Sequence, residues 1–133
     1  MDSRTDNEMQ RVFQIAAWSL AFLIALLSVV PPSYRPVTAA SHNLEHLAIY
    51  LSIGISFGAG YPVRPWIPAI GLASFCGVIE IAQLWAPGRH ARLVDFLVDA
   101  AAACIGVGMA CVALRLSSRG RADRVPRDGV ARR

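Results

Sequence analysis

The chain has 133 residues, 55% hydrophobic and only 17% charged, with a net charge of +4 and a mean hydropathy of +0.45. That is one domain's length, and a soluble domain carries nearer a quarter charged residues. The charges are also unevenly placed, since residues 12–34, 47–63, 65–79 and 100–114 hold none. This distribution excludes an ordinary soluble enzyme, a disordered chain and a folded basic surface for nucleic acid, and reads as a small integral membrane protein.

A bilayer core of about 30 Å needs roughly 20 mostly apolar residues in a helix, and four segments supply them. The first spans about 12–30 and stops at Pro31-Pro32. A cleaved secretory signal is the competing reading, with Thr38-Ala39-Ala40 as its candidate site. The flank is net negative, however, with Asp2, Asp6 and Glu8 against Arg4 and Arg11, and the apolar run is too long. An uncleaved span is expected. The second span covers about 42–60, and Pro62 and Pro65 mark a short turn after it. The third covers about 66–86 and ends at Pro87-Gly88; the fourth covers about 93–116.

Lipid-exposed backbone must satisfy its own hydrogen bonds, so each span is helical. The expected fold is an all-α integral membrane bundle of four transmembrane helices. Residues 1–11 form a cytoplasmic amino-terminal segment, 12–116 the membrane domain and 117–133 a disordered Arg-rich cytoplasmic tail.

Orientation follows from the basic residues. All thirteen cations are Arg, and seven lie between Arg115 and Arg133. With four spans, Arg4, Arg11, Arg64 and those seven share one side, ten in all, against Arg35, Arg89 and Arg92 on the other. Both termini are therefore expected in the cytoplasm, with the tail beside anionic lipid rather than nucleic acid.

On these directed helices the intramembrane polar residues gather at one level. His42, Glu45, His46 and Tyr50 fall in the outer half of the second span, Glu80 and Gln83 in that of the third, and Asp95 and Asp99 in that of the fourth. The segment between the last two brings Arg89, His90 and Arg92 to the same surface. His42, His46 and Tyr50 are four apart and form one helical stripe; Glu80 and Gln83 share a face, as do Asp95 and Asp99. Glu80 lies about 10 Å below Pro87 at ~1.5 Å per residue, too deep for its carboxylate to reach water easily.

One such residue could simply pair two helices, and Asp95 near a helix start could be a cap. Convergence from three helices favours a functional pocket. Gly54 and Gly58 form a small-xxx-small pair for close helix packing, and Ala100–Ala103 with Gly106 and Gly108 read the same way. Trp18 is unexceptional, while Trp66 and Trp85 suit the membrane interface. Cys76, Cys104 and Cys111 lie inside the expected spans without CxxC spacing and read as small apolar fillers. The segment His42-Asn43-Leu44-Glu45-His46 matches the H-x-x-E-H spacing of inverted zinc proteases, with Glu80 as a conceivable third ligand. Three fixed residues in five are little signal, and such proteases need far more chain, so no metal or other cofactor is expected.

The elements HNLEHLAIY, EIAQLWAPGR and DFLVD together resemble the VanZ-like family of small bacterial membrane proteins over about residues 42–108. The matching positions are His46 and Tyr50, Glu80 and Gln83 followed by Pro87-Gly88-Arg89, and Asp95. The chain departs from the family at His42-Asn43, where Asp-Lys is frequent, at Asp99, where Asn is, and at Ala102, where Gly is. The resemblance implies a multi-pass protein of the bacterial cytoplasmic membrane, and likeness to a glycopeptide-resistance component implies cell-envelope work.

Three functions compete. In the first, the pocket binds, with or without modifying, an anionic amphipathic envelope molecule such as a lipid-linked precursor. Arg89 and Arg92 hold its headgroup, and Gln83, Tyr50, Asp99 and His42 orient it. Glu80 or Asp95 works with His46 as an acid/base pair. No nucleophilic Ser or Cys motif supports a covalent intermediate. In the second, the same His/Glu/Asp chain serves a proton- or ion-coupled carrier. In the third, the patch binds an envelope protein and the chain is an accessory subunit, with a homo-oligomer also open. The first reading is preferred.

Overall fold

The computed structural model describes residues 3–30, 42–85 and 92–122. Among them the chain forms four helices: α1 (Ser3–Val29), α2 (His42–Gly60), α3 (Trp66–Gln83) and α4 (Leu93–Ala122). Every expected span is represented by a helix, but two run further than their apolar cores. α1 begins nine residues before position 12, because its polar start from Ser3 to Arg11 contains no helix breaker. α4 passes position 116 by six residues, so Ser117–Ala122 is helical rather than part of the expected disordered tail. Ser117 and Ser118 each donate their hydroxyl to the carbonyl three residues back, at 2.9 and 2.8 Å. Residues 123–133 lie outside the described residues.

Three helices, α1, α3 and α4, are long and apolar enough to cross a membrane. The apolar part of α2 is shorter, Leu44–Gly60, because His42 and Asn43 open the helix with polar residues. The turn from α2 to α3 follows from its prolines. Pro65 begins α3 without a side-chain cap, and Pro68 lies in the first turn, where its missing N–H is tolerated. Ile67 N–H reaches Arg64 O at 3.0 Å and closes the turn. At the other end of α3, Leu84 and Trp85 N–H bond to Ile81 O and Ala82 O at 3.1 and 3.2 Å, a tightened last turn.

Burial is distributed unlike that of a water-soluble bundle. Ile15, Phe22, Trp85, Leu93 and Val94 stand more than half exposed, whereas Ser28, Ser56, Gln83 and Asp99 are buried. The core joins Ile24 of α1, Tyr50 and Ile53 of α2, Leu72 and Cys76 of α3, and Ala102, Ala103 and Val107 of α4. Cys76 thus fills the core; Cys104 is exposed, Cys111 half-buried, and all three are free thiols.

α2 and α4 form the closest helix pair, and their contacts advance together along both chains, so the two are parallel. Gly54 meets the Ala103 backbone, and Gly106 meets the backbone of Leu51, Gly54 and Ile55. A Cβ added to Gly58 would lie 2.9 Å from Ala110 Cβ and from Val107 O. Gly54 and Gly58 therefore do what the small-residue spacing suggests, and Ala103 and Gly106 answer them. Gly108 does not take part: a Cβ there meets nothing within 4 Å, since two residues on a helix differ by about 200° in direction. α1 runs antiparallel to α2, with Gln14 Nε2 donating to Gly60 O at 2.9 Å. α3 runs antiparallel to α4, Gly77 lying near Phe96.

This geometry makes Gly54→Ala a test of the packing. The added methyl collides with backbone rather than with a movable side chain, so the protein is expected to lose about 1–3 kcal/mol of stability. Gly108→Ala enters open space and should be neutral or gain up to about 1 kcal/mol from helix propensity. Thermal unfolding of both purified variants reads the difference, and equal melting temperatures would contradict the α2–α4 contact.

Candidate functional site

The site lies at the end of the bundle where α2 and α4 begin and α3 finishes. His46 is one turn into α2, and Asp99 is six residues into α4. Because the two helices are parallel and separated by little more than their glycines, side chains at matching depth meet. His46 Nδ1–H donates to the Asp99 carboxylate, 3.1 Å from each oxygen. The histidine side chain is 22% exposed and that of the aspartate 6%, so the pair reaches from the edge of the bundle into its interior. A carboxylate held this deep requires a partner, because an unpaired buried charge is far costlier than a paired one.

Tyr50, one turn below His46, is 2% exposed. Its ring centroid lies 6.0 Å from that of His46, and its phenol adjoins the Asp99 carboxylate. Beneath this trio the core closes with Ile53 and Ala103, both fully buried. The pairing also fixes the imidazole, holding the ring by its Nδ1 side against the Asp99 carboxylate.

α3 contributes Glu80, which is half-buried and accepts the backbone N–H of Arg92. That amide immediately precedes α4 and has no carbonyl four residues back within the helix to bond. Glu80 thereby places a negative charge at the positive end of α4. Glu80 and Cys76 remain within electrostatic range of Tyr50. Gln83, one turn on, is buried at 6% exposure. Asp95 occupies the first turn of α4, half-buried, with its own N–H bonded to Arg92 O at 3.0 Å. Arg92 is exposed.

His46, Tyr50 and Asp99 are thus in direct contact, and Glu80, Gln83, Asp95 and Arg92 border them at the same end. The carboxylate that meets His46 is Asp99, one helical turn deeper than Asp95. Glu80 takes the capping role that the sequence suggested for Asp95. Arg89 and His90 lie outside the described residues, as does the side chain of His42. Among the described residues no group of three His, Cys, Asp or Glu side chains is placed to hold a metal ion.

The opposite end of the bundle carries an aromatic cluster that sequence spacing does not reveal. Trp18 Nε1–H donates to Tyr61 Oη at 3.0 Å. The Trp18 ring meets Phe57 edge-on at 5.3 Å, and Phe57 stacks on Tyr61 at 6.0 Å. Phe57 and Tyr61 are four apart in sequence, whereas Trp18 comes from another helix.

No protein-family model matches the chain, and neither does any curated protein or solved structure.

The His46–Asp99 contact predicts strong energetic coupling. Asp99→Ala should cost about 1–3 kcal/mol, because it strips the imidazole of its acceptor, and His46→Ala should cost a similar amount. In the double variant much of the second loss should vanish, and reversible unfolding of all four proteins measures it. Additive losses would show that the two side chains do not interact.

Proposed function

We propose that this chain is a multi-pass protein of the bacterial cytoplasmic membrane, a VanZ-like bundle of four transmembrane helices with both termini cytoplasmic. On this reading its polar cluster lies in the extracytoplasmic half and binds an anionic amphipathic molecule of the cell envelope, of the lipid-linked precursor class. Three helices of spanning length, an apolar exterior and the weight of arginine on the terminal side support the membrane assignment. The segments HNLEHLAIY, EIAQLWAPGR and DFLVD support the family.

The observation that carries the binding assignment is the His46–Asp99 pair, set with Tyr50 into an otherwise apolar core. An ionisable cluster inside an apolar bundle is costly, and such residues mark ligand or ion pathways in membrane proteins. The half-buried Glu80 and Asp95 and the exposed Arg92 give it an approach from the end of the bundle. Arg92 supplies an unburied cation suited to a phosphate or carboxylate headgroup. His46, oriented by Asp99, supplies an imidazole that can exchange a proton with a bound group. If the bound molecule is also modified, His46 is the acid/base and Asp99 its positioning residue, with Glu80 close enough to shape the field.

A carrier needs polar groups through the second half of the bundle as well. Among the described residues the core beyond Tyr50 is Ile53, Ala103 and Val107, and buried Ser56 spends its hydroxyl on Ser52 O at 2.9 Å. That arrangement favours a site with one opening over a path.

Native mass spectrometry with lipid identification on the full chain, purified from a bacterial membrane in mild detergent, tests this function. The wild type should carry an anionic lipid-linked species, and Asp99→Asn and Arg92→Ala should each cut its occupancy about tenfold. Absence of such a species from the wild type, or its retention by both variants, would overturn the assignment.

A further inference from the structure

A second feature lies away from the polar cluster, between α1 and α3. These two helices pack on α2 and α4 respectively and barely touch each other, which leaves an open groove of about 930 Å³. Its walls are aromatic and apolar: Trp18 and Phe22 from α1, Phe57 from α2, and Leu72 and Phe75 from α3. Gly71 lies in the α3 wall, exposed, and a Cβ there would meet nothing within 4 Å. The mouth is polar, formed by Gln10 and Gln14 with Tyr61 and Arg64. Gln14 is already committed to Gly60 O, and Arg64 is exposed with no carboxylate partner among the described residues.

Dimensions and charge together indicate the occupant. From Arg64 at the mouth to Phe75 at the deep end is eleven residues, about 16 Å at ~1.5 Å per residue, or roughly half of a 30 Å hydrocarbon core. The groove therefore traverses one leaflet. Its volume falls within the roughly 300–1,000 Å³ of ligand pockets. It joins an apolar trough to a single cation at the depth where a headgroup would lie.

A second copy of the chain is a poorer fit. It would bring the same basic end against itself, with Arg4, Arg11, Arg64, Arg115 and Arg119 opposed by Asp6 and Glu8 among the described residues. We propose that the groove seats one anionic glycerophospholipid of the leaflet on the Arg64 side, with acyl chain against Trp18, Phe22 and Phe75 and phosphate at Arg64. This rests on the helices spanning a bilayer, and is independent of what the His46–Asp99 cluster binds.

The experiment is native mass spectrometry of the full chain released from vesicles of equimolar phosphatidylglycerol and phosphatidylcholine. The wild type should retain one phospholipid, with phosphatidylglycerol favoured about fivefold, the worth of one Arg near a headgroup. Arg64→Gln should bring the two lipids to parity. Gly71→Phe, whose Cβ enters open space and whose ring then occupies the trough, should remove the retained lipid at an unchanged melting temperature. Gly108→Phe, on an open face of α4, and Asp99→Asn at the other end should both keep it.

Retention of the lipid by Gly71→Phe, or an undiminished phosphatidylglycerol preference in Arg64→Gln, would overturn the proposal. So would loss in Asp99→Asn with retention in Gly71→Phe, which moves the lipid to the polar cluster. Dimers in the wild type that Gly71→Phe abolishes would make a second copy the occupant and overturn it equally. If Gly71→Phe unfolds, Gly71→Leu carries the same expectation with a smaller side chain.

Discussion

A carboxylate inside an apolar bundle must be answered by a donor, and the close approach of α2 and α4 places one there. Asp99 is buried to 4% exposure and meets His46 across the closest helix pair in the protein. The glycines at 54, 58 and 106 bring the two helix axes near enough for a short aspartate on one to reach an imidazole on the other. The parallel direction of the pair puts both side chains at matching depth. Packing and polar chemistry are one construction here, since a wider α2–α4 gap would strand the carboxylate.

From that pair the rest of the end is organised outward. Tyr50 closes the cluster from below and Glu80 holds the amide just before α4, while Arg92 and Asp95 lie at the rim. The opposite end is built from different materials: aromatic rings, a backbone carbonyl and a void. There the weak meeting of α1 with α3 leaves space rather than contact. A polar site at one end and an apolar trough at the other make the bundle amphipathic along its length in two distinct ways.

Much of this was readable from residue order. Charge-free runs and the prolines at 31, 32, 62, 65 and 87 mark four helices, since nothing else ends an apolar helix so cleanly. The level of His46, Tyr50, Glu80, Gln83, Asp95 and Asp99 follows from counting along alternating directions. Partnership does not. Asp95 and Asp99 share one face, and only the relative height of α2 and α4 decides which of them finds His46. Gly106 and Gly108 look alike in a sequence, yet helical geometry lets one face α2 while the other looks outward. Hydropathy marks where the apolar cores of α1 and α4 stop, whereas helix propensity carries both helices on into polar sequence. Trp18 gave no hint of its role, because Tyr61 stands 43 positions away and no local period links them.

The most direct test of this account is the state of the buried pair in a bilayer. Solid-state NMR on the full chain in lipid vesicles, with labelled histidine and aspartate, reads both the protonated ring nitrogen and its coupling to a carboxylate carbon. His46 is expected to carry a proton on Nδ1 and to show a strong dipolar coupling to the Asp99 carboxylate carbon, which Asp99→Asn alters. A His46 resonance coupled to Asp95 or Glu80 instead, or one indifferent to Asp99→Asn, would contradict it.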